Sequence, residues 1–213
     1  MTAPRDRSSP PPAPGWTAET VGMSLEILDR MERAVAKVRD RLLRATAALN
    51  QAGVPYAVVG GHAVASWVAR VDEGAVRNTR DVDLLVRRSD LPAITAALEQ
   101  AGFVRDEVLD VVMFRDGAQG KPSEAIHLVF AGEKVRPDHP LPAPEIRTVQ
   151  DPENYPVITL EALVLLKLLS NRRKDQVHLE DLIGVGLVDA SWVAKLPPLL
   201  AGRLQQILDT PEG

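Results

Sequence analysis

Apolar positions along the chain fall into distinct rhythms, and each rhythm predicts a different kind of element. Between Met23 and Gln51, Leu28, Met31, Val35, Val38, Leu42, Ala45 and Leu49 recur at three- and four-residue steps with charged residues between them. That spacing predicts an amphipathic N-terminal helix over 23–52, capped by Ser24 and stopped at Gly53 before Pro55. From Tyr56 the rhythm changes. Residues 56–59 read as a short buried strand, Gly60-Gly61 as a turn, the next apolar-periodic stretch as a helix, residues 72–79 as a polar loop, and Asp81 to Val86 as a second strand. Ser89 or Asp90 caps a helix with Pro92 in its first turn, ended by Gly102. Residues 103–104 and 108–114 read as strands of a hairpin or meander, 117–122 as a turn, and 124–130 as a further strand.

Residues 131–157 carry Pro137, Pro140, Pro142, Pro144, Pro152 and Pro156 and no periodic pattern. So long a structureless stretch reads as a functional loop or a linker. The last third is helical. Thr159 caps a helix running to Arg173, Asp175 or Gln176 opens another that Gly184 and Gly186 break, Asp189 opens a short one, and Pro197-Pro198 starts the last. Residues 1–22, rich in proline, are expected to be a disordered tail. The expected fold is of the α/β (α+β) class: a mixed sheet domain over 53–157, flanked by helices, with a helical C-terminal part over 158–213.

Composition narrows the function. The chain is 45% hydrophobic and 25% charged, as a soluble globular protein is, and its net charge of −4 supplies no global basic field for nucleic acid. With no cysteine there is no disulfide framework, thiolate metal site or thiol nucleophile. The apolar runs are too short for a secretory leader or a spanning helix, so the expectation is a cytoplasmic protein with no membrane partner.

Candidate chemistry gathers between Val59 and Asp83. Two glycines between a strand and a helix let the backbone approach a ligand, with amide N–H groups at the positive end of the helix dipole. His62 and Ser66 follow in the first helical turns, where His62 either reaches a ligand or caps the surface. Asp81 and Asp83, two apart on a strand, share a face. Either they pair with Arg77, Arg80 or Arg87, or they hold a hard cation such as Mg²⁺. Lys167 is the one polar side chain between Ala162 and Leu169. It either snorkels to water or faces a polar cavity. Lys167, Asn171 and Lys174 are expected on one helical stripe beside Arg172-Arg173, a local basic patch in an acidic protein.

Val59-Gly60-Gly61 followed by Asp81-Val82-Asp83 resembles the signature of the nucleotidyltransferase superfamily that includes DNA polymerase β. The resemblance implies a nucleotidyltransferase-like mixed sheet, a nucleoside triphosphate (NTP) on the glycine turn, and Mg²⁺ or Mn²⁺ on Asp81 and Asp83. It also implies a third carboxylate on a neighbouring strand, where this chain has His127; Glu124 has the opposite parity. The C-terminal stretch resembles the part after the palm in minimal nucleotidyltransferases of the abortive-infection toxin type (AbiEii/AbiGii). That likeness implies nucleotide contact by Lys167 and a supporting or catalytic acid at Asp175 or Asp181. The expected catalytic set is thus Asp81, Asp83, His127 and Asp175, and the nucleotide-binding set Gly60, Gly61, His62, Arg77, Thr79, Lys167 and Lys174. The expected reaction moves a nucleoside monophosphate from NTP to a hydroxyl of an RNA or tRNA end, a protein or a small molecule, in one version as the toxin partner of a cognate antitoxin. The alternative is a catalytically inactive nucleotide-binding or regulatory module of the same fold.

Overall fold

The computed structural model describes residues 18–210, with side chains from residue 26 onward. Residues 1–17 of the expected tail lie outside the described residues, and residues 18–22 are helical. Helix α1 spans Ala18–Gln51. The chain divides between Ala36 and Lys37 into two units. In the first, Leu28, Met31 and Val35 are exposed; in the second, Leu42, Ala45 and Leu49 of the same apolar series are buried.

The second unit is built on one mixed sheet of seven strands: β1 (Tyr56–Val59), β2 (Val82–Val86), β3 (Phe103–Val108), β4 (Val111–Asp116), β5 (Ile126–Phe130), β6 (Thr148–Gln150) and β7 (Pro156–Ile158). They lie in the order β3-β4-β5-β2-β1-β7-β6. Every residue of β1 is buried, and so is every residue of β2 except Asp83. That is why these central strands read as continuous Val and Leu runs rather than as alternations. Strand β2 runs antiparallel to β1 and parallel to β5, while β1 runs parallel to β7.

Helix α2 (Gly60–Ala69) leaves the end of β1 and packs on β1, β2 and β7. It is pinned there by Trp67 Nε1, which donates to the Ile158 carbonyl at 3.0 Å, and by Ser66, which donates to the buried Asp151. Helix α3 (Leu91–Gln100) packs on β3. The helical C-terminal part comprises α4 (Leu160–Ser170), α5 (Arg173–Gly184), a 3₁₀ turn (Ala190–Lys195) and α6 (Pro198–Asp209). Among the described residues no helix is long and apolar enough to cross a membrane.

Three expectations need correction. The Pro-rich stretch holds two strands, β6 and β7, with Pro152 in their turn and Pro156 first in its strand, where a missing N–H is tolerated. The β3–β4 hairpin turns at Leu109-Asp110, both left-handed at φ 49° and 65°, so β3 runs longer and β4 starts later than expected. Such a turn ordinarily calls for Asn-Gly or Asp-Gly, and Leu-Asp gives no such signal. Strand β5 starts at Ile126, and Glu124 belongs to the preceding 3₁₀ turn.

Burial separates the costs of two substitutions. Leu84→Ala, at a fully buried position of β2, should lower unfolding free energy by about 2–5 kcal/mol, whereas Val108→Ala, half exposed at the hairpin, should stay within about 0.5 kcal/mol. Urea unfolding followed by circular dichroism reads both.

Candidate functional site

The register of three strands builds the site. Asp83 lies opposite Val59 on β1 and opposite His127 on β5. Val59 is followed at once by Gly60, whose φ is +68°. A Cβ at Gly60 would sit 2.0 Å from Asp83 Oδ2 and 2.9 Å from Asp83 Cβ; one at Gly61 would sit 2.6 Å from Thr79 Oγ1 and 2.8 Å from Thr79 Cβ. Both glycines are therefore required by the side chains against them, and Gly60 also by its backbone conformation. No side chain caps the start of α2, which leaves its first N–H groups without a side-chain acceptor.

Asp81, Asp83 and His127 each offer a ligand atom, all within 4.8 Å of one another. His127 Nδ1 is 3.9 Å from Asp83 Oδ1. Burial, and after it the Asp81 carboxylate, pushes the Asp83 pKa up, while His127, Lys167 and Lys174 pull the other way. At Asp81 burial also acts upward, but the Lys174 ammonium, 3.2 Å from Oδ2, and the Thr79 hydroxyl, 3.1 Å from Oδ1, help to outweigh it and leave the pKa below the usual range. The pair is crowded, and Asp83 carries an unfavourable charge; both are relieved by a divalent cation, and a donor set of two carboxylates and an imidazole fits one.

Lys167 is buried, which corrects the snorkelling alternative. Its ammonium donates to Asp175 Oδ1 at 3.3 Å and to His178 Nδ1 at 2.8 Å. Burial lowers its pKa, and the Asp175 and Asp83 charges oppose that. The expected single stripe is also corrected. Helix α4 ends at Ser170, Asn171 turns left-handed at φ 48°, and α5 starts at Arg173, so Lys167 and Lys174 reach the site from different helices. Asn, the residue after glycine most at ease in that conformation, was the readable signal for this break.

Asp175 is buried and spoken for. Beside Lys167, it accepts from Arg172 Nε at 2.8 Å and from the Arg172 backbone N–H at 3.3 Å, capping α5. Burial would raise its pKa, yet Arg172 and Lys167 hold it down to about 2. Asp181 is taken up by Arg77, whose Nε lies 2.7 Å from its Oδ1.

A cavity of about 640 Å³ opens over this cluster, a size suited to a nucleotide-scale ligand. Of the expected residues, Gly60, Asp81, Asp83, His127, Lys167, Lys174 and Asp175 line it. Gly61, His62, Arg77 and Thr79 lie outside that lining: Gly61 and Thr79 pack on each other, Arg77 holds Asp181, and His62 has its Nε2 buried without a hydrogen-bond partner. Residues missed from sequence also line it, among them Arg88, Glu133 and Arg136 and the Leu109–Val111 hairpin tip. The proline-rich composition of 131–157 was the signal for the loop residues.

Residues 25–151 match the model of a family described as uncharacterised nucleotidyltransferase. No curated protein matches the chain. Among solved structures, the chain is similar to the solution structure of the antibiotic-resistance factor ANT(2'')-Ia, at 14% identity and a TM-score of 0.50, over 81% of this chain and 91% of that one. It is likewise similar to the crystal structure of ANT(2'')-Ia in complex with adenylyl-2''-tobramycin, at 17% identity and a TM-score of 0.51, over 80% of this chain and 98% of that one. These likenesses are of fold.

Gly60→Ala and Gly53→Ala both force alanine to a positive φ, but nothing lies within 4 Å of a Cβ at Gly53. Gly60→Ala should therefore destabilise the fold more, as thermal melting of the two variants would show. Burial lowers the pKa of both His62 and His178 to about 4. The unfolded chain, titrating near about 6.5, binds more protons between those values, so stability should be full above about pH 6.5 and fall as pH drops towards about 4. Urea midpoints across that window should decline less steeply in His62→Gln/His178→Gln.

Proposed function

Because the chain belongs to this family of uncharacterised nucleotidyltransferases, we propose that it moves a nucleoside monophosphate from an NTP to an acceptor hydroxyl. One observation carries the reading: Asp81, Asp83 and His127 converge beside the Gly60 turn, in the cavity into which the ammonium of buried Lys167 is built. In this reading the sheet domain, 53–157, supplies the metal ligands and the glycine turn, and the helical part, 158–213, supplies the cations. Asp81, Asp83 and His127 would hold a divalent cation, which when bound would supply charge neutralisation at the transferring phosphate. Lys167 and Lys174 neutralise the phosphates, and Asp175, tied to Lys167 and Arg172, positions the Lys167 ammonium. The acceptor oxygen bonds to the α-phosphorus, the bond from that phosphorus to the β-bridging oxygen breaks, pyrophosphate leaves, and the hydroxyl proton passes to solvent.

His127 makes the donor set mixed, which favours Mn²⁺ over Mg²⁺, since imidazole suits the former better. The AbiEii-type toxin role, with a cognate antitoxin and a tRNA or other RNA acceptor, is one use of such an activity in the cytoplasm. A small-molecule hydroxyl, as in the ANT(2'')-Ia complex, and a protein side chain are the others. His127 in a carboxylate's place also supports the second reading, a module that binds nucleotide without transferring it.

Calorimetric titration with ATP, CTP, GTP and UTP should show at least one that binds more tightly with Mn²⁺ or Mg²⁺, and Asp81→Ala/Asp83→Ala should erase the difference. Absence of any nucleotide binding would end both readings. Lys167→Met should weaken the bound nucleotide by about 1–3 kcal/mol. With labelled nucleotide, His127→Asp should keep transfer and shift its preference towards Mg²⁺, while His127→Ala should abolish it; binding without transfer in every variant would favour the inactive module.

A further inference from the structure

The charges lining the cavity beyond the metal ligands are unevenly committed. Glu133 accepts three bonds from Arg88, at 2.7 Å and 2.9 Å from Nε and 2.7 Å from Nη2, and the Arg88 guanidinium lies 3.7 Å above the Phe130 ring. The hydrogen bonds from Arg88 hold the Glu133 pKa below the usual range, so Glu133 is a spent anion. Asp175 is spent on Lys167 and Arg172. Asp110, at the exposed hairpin tip, is the acid left among these lining residues.

The cations balance differently. Lys134 and Arg136 line the same cavity, are exposed, and form no ion pair among the described residues. Their loop is held in place: the Gly132 N–H donates to the Ala143 carbonyl at 3.0 Å, the Ala143 N–H to the Glu133 carbonyl at 2.8 Å, and the His139 N–H to the Arg136 carbonyl at 3.0 Å. Asp138 shares the loop but does not line the cavity. Between this loop and the hairpin tip the wall is apolar and open, with Leu109 92% exposed and Val111 and Val135 also exposed. An amine-rich acceptor would meet uncompensated cations here and one exposed carboxylate.

We propose, resting on the transfer reaction above, that the acceptor is a hydroxyl compound bearing phosphate, its anionic group read by Lys134 and Arg136 and its body seated against Leu109, Val111 and Val135. Lys167 and Lys174 face the donor side of the cavity, so the loop cations are free for a second anion. The phosphate belongs either to a small phosphorylated sugar or to the last nucleotides of an RNA end.

The test is calorimetric titration of the full chain with Mn²⁺ and each α,β-methylene NTP analogue, first alone and then followed by glucose 6-phosphate, a trinucleotide RNA with a free 3′-hydroxyl, or tobramycin. At least one phosphate probe should bind the nucleotide-loaded protein, roughly tenfold or more tightly than tobramycin. Binding of glucose 6-phosphate alone assigns a small acceptor, and of the RNA alone an RNA end. Lys134→Glu/Arg136→Glu should lose roughly tenfold or more of that affinity and leave the nucleotide analogue bound as before. No binding of either phosphate probe, tighter binding of tobramycin, or indifference to the charge reversal would overturn the proposal while leaving the transfer reading intact. A parallel loss of nucleotide affinity in the variant would assign the two cations to the donor and overturn it too. Failure of every analogue to bind wild type would remove the transfer reading itself.

Discussion

Everything in the site depends on how little room Asp83 has. Its side chain lies against the backbone at Gly60, beside the Asp81 carboxylate and across from His127, in the one place where β2 departs from continuous apolar burial. A carboxylate so placed has lost most of its water, and its pKa rises for that reason first. The cost is offset by the charges nearby, His127, Lys167 and Lys174. Moving β2 by one residue along β1 would bury Asp83 in the core and turn a valine or leucine outward, so sheet register and site chemistry are one constraint.

The central strands and their order of appearance were legible because they sit at the middle of the sheet. There, burial on both faces forces unbroken apolar runs, and the polar exception, Asp83, with Asp81 just ahead of the strand, stands out against them. The glycine turn was legible for a related reason, since two glycines in succession mark a backbone pressed against something. What they are pressed against, Asp83 and Thr79, is a tertiary fact with no local trace.

The edges and the helical part were harder. Strands β6 and β7 are three residues each and are held by pairing with each other and, through β7, with β1, which no pattern within them announces. The Leu109-Asp110 turn breaks the usual turn chemistry. Lys167 could be picked out as an anomaly in an apolar helix, but its partners come from the next helix across a left-handed Asn171. A periodicity read straight through that residue put Lys174 on the wrong stripe, although Lys174 does arrive at Asp81.

The place of these helices at the end of the chain also sets the order in which the parts of the site emerge. Strands β1 and β2 are near neighbours in the chain and can bring Gly60 and Asp83 together early, but the Lys167–Asp175 pair and Lys174 are encoded roughly a hundred residues later. During synthesis from the N-terminus, a ribosome-bound chain that has emerged only as far as β7 holds its two carboxylates without their cations. The cationic half of the site is completed only when α4 and α5 have emerged and docked, so a chain that stops before α4 carries the acidic half alone.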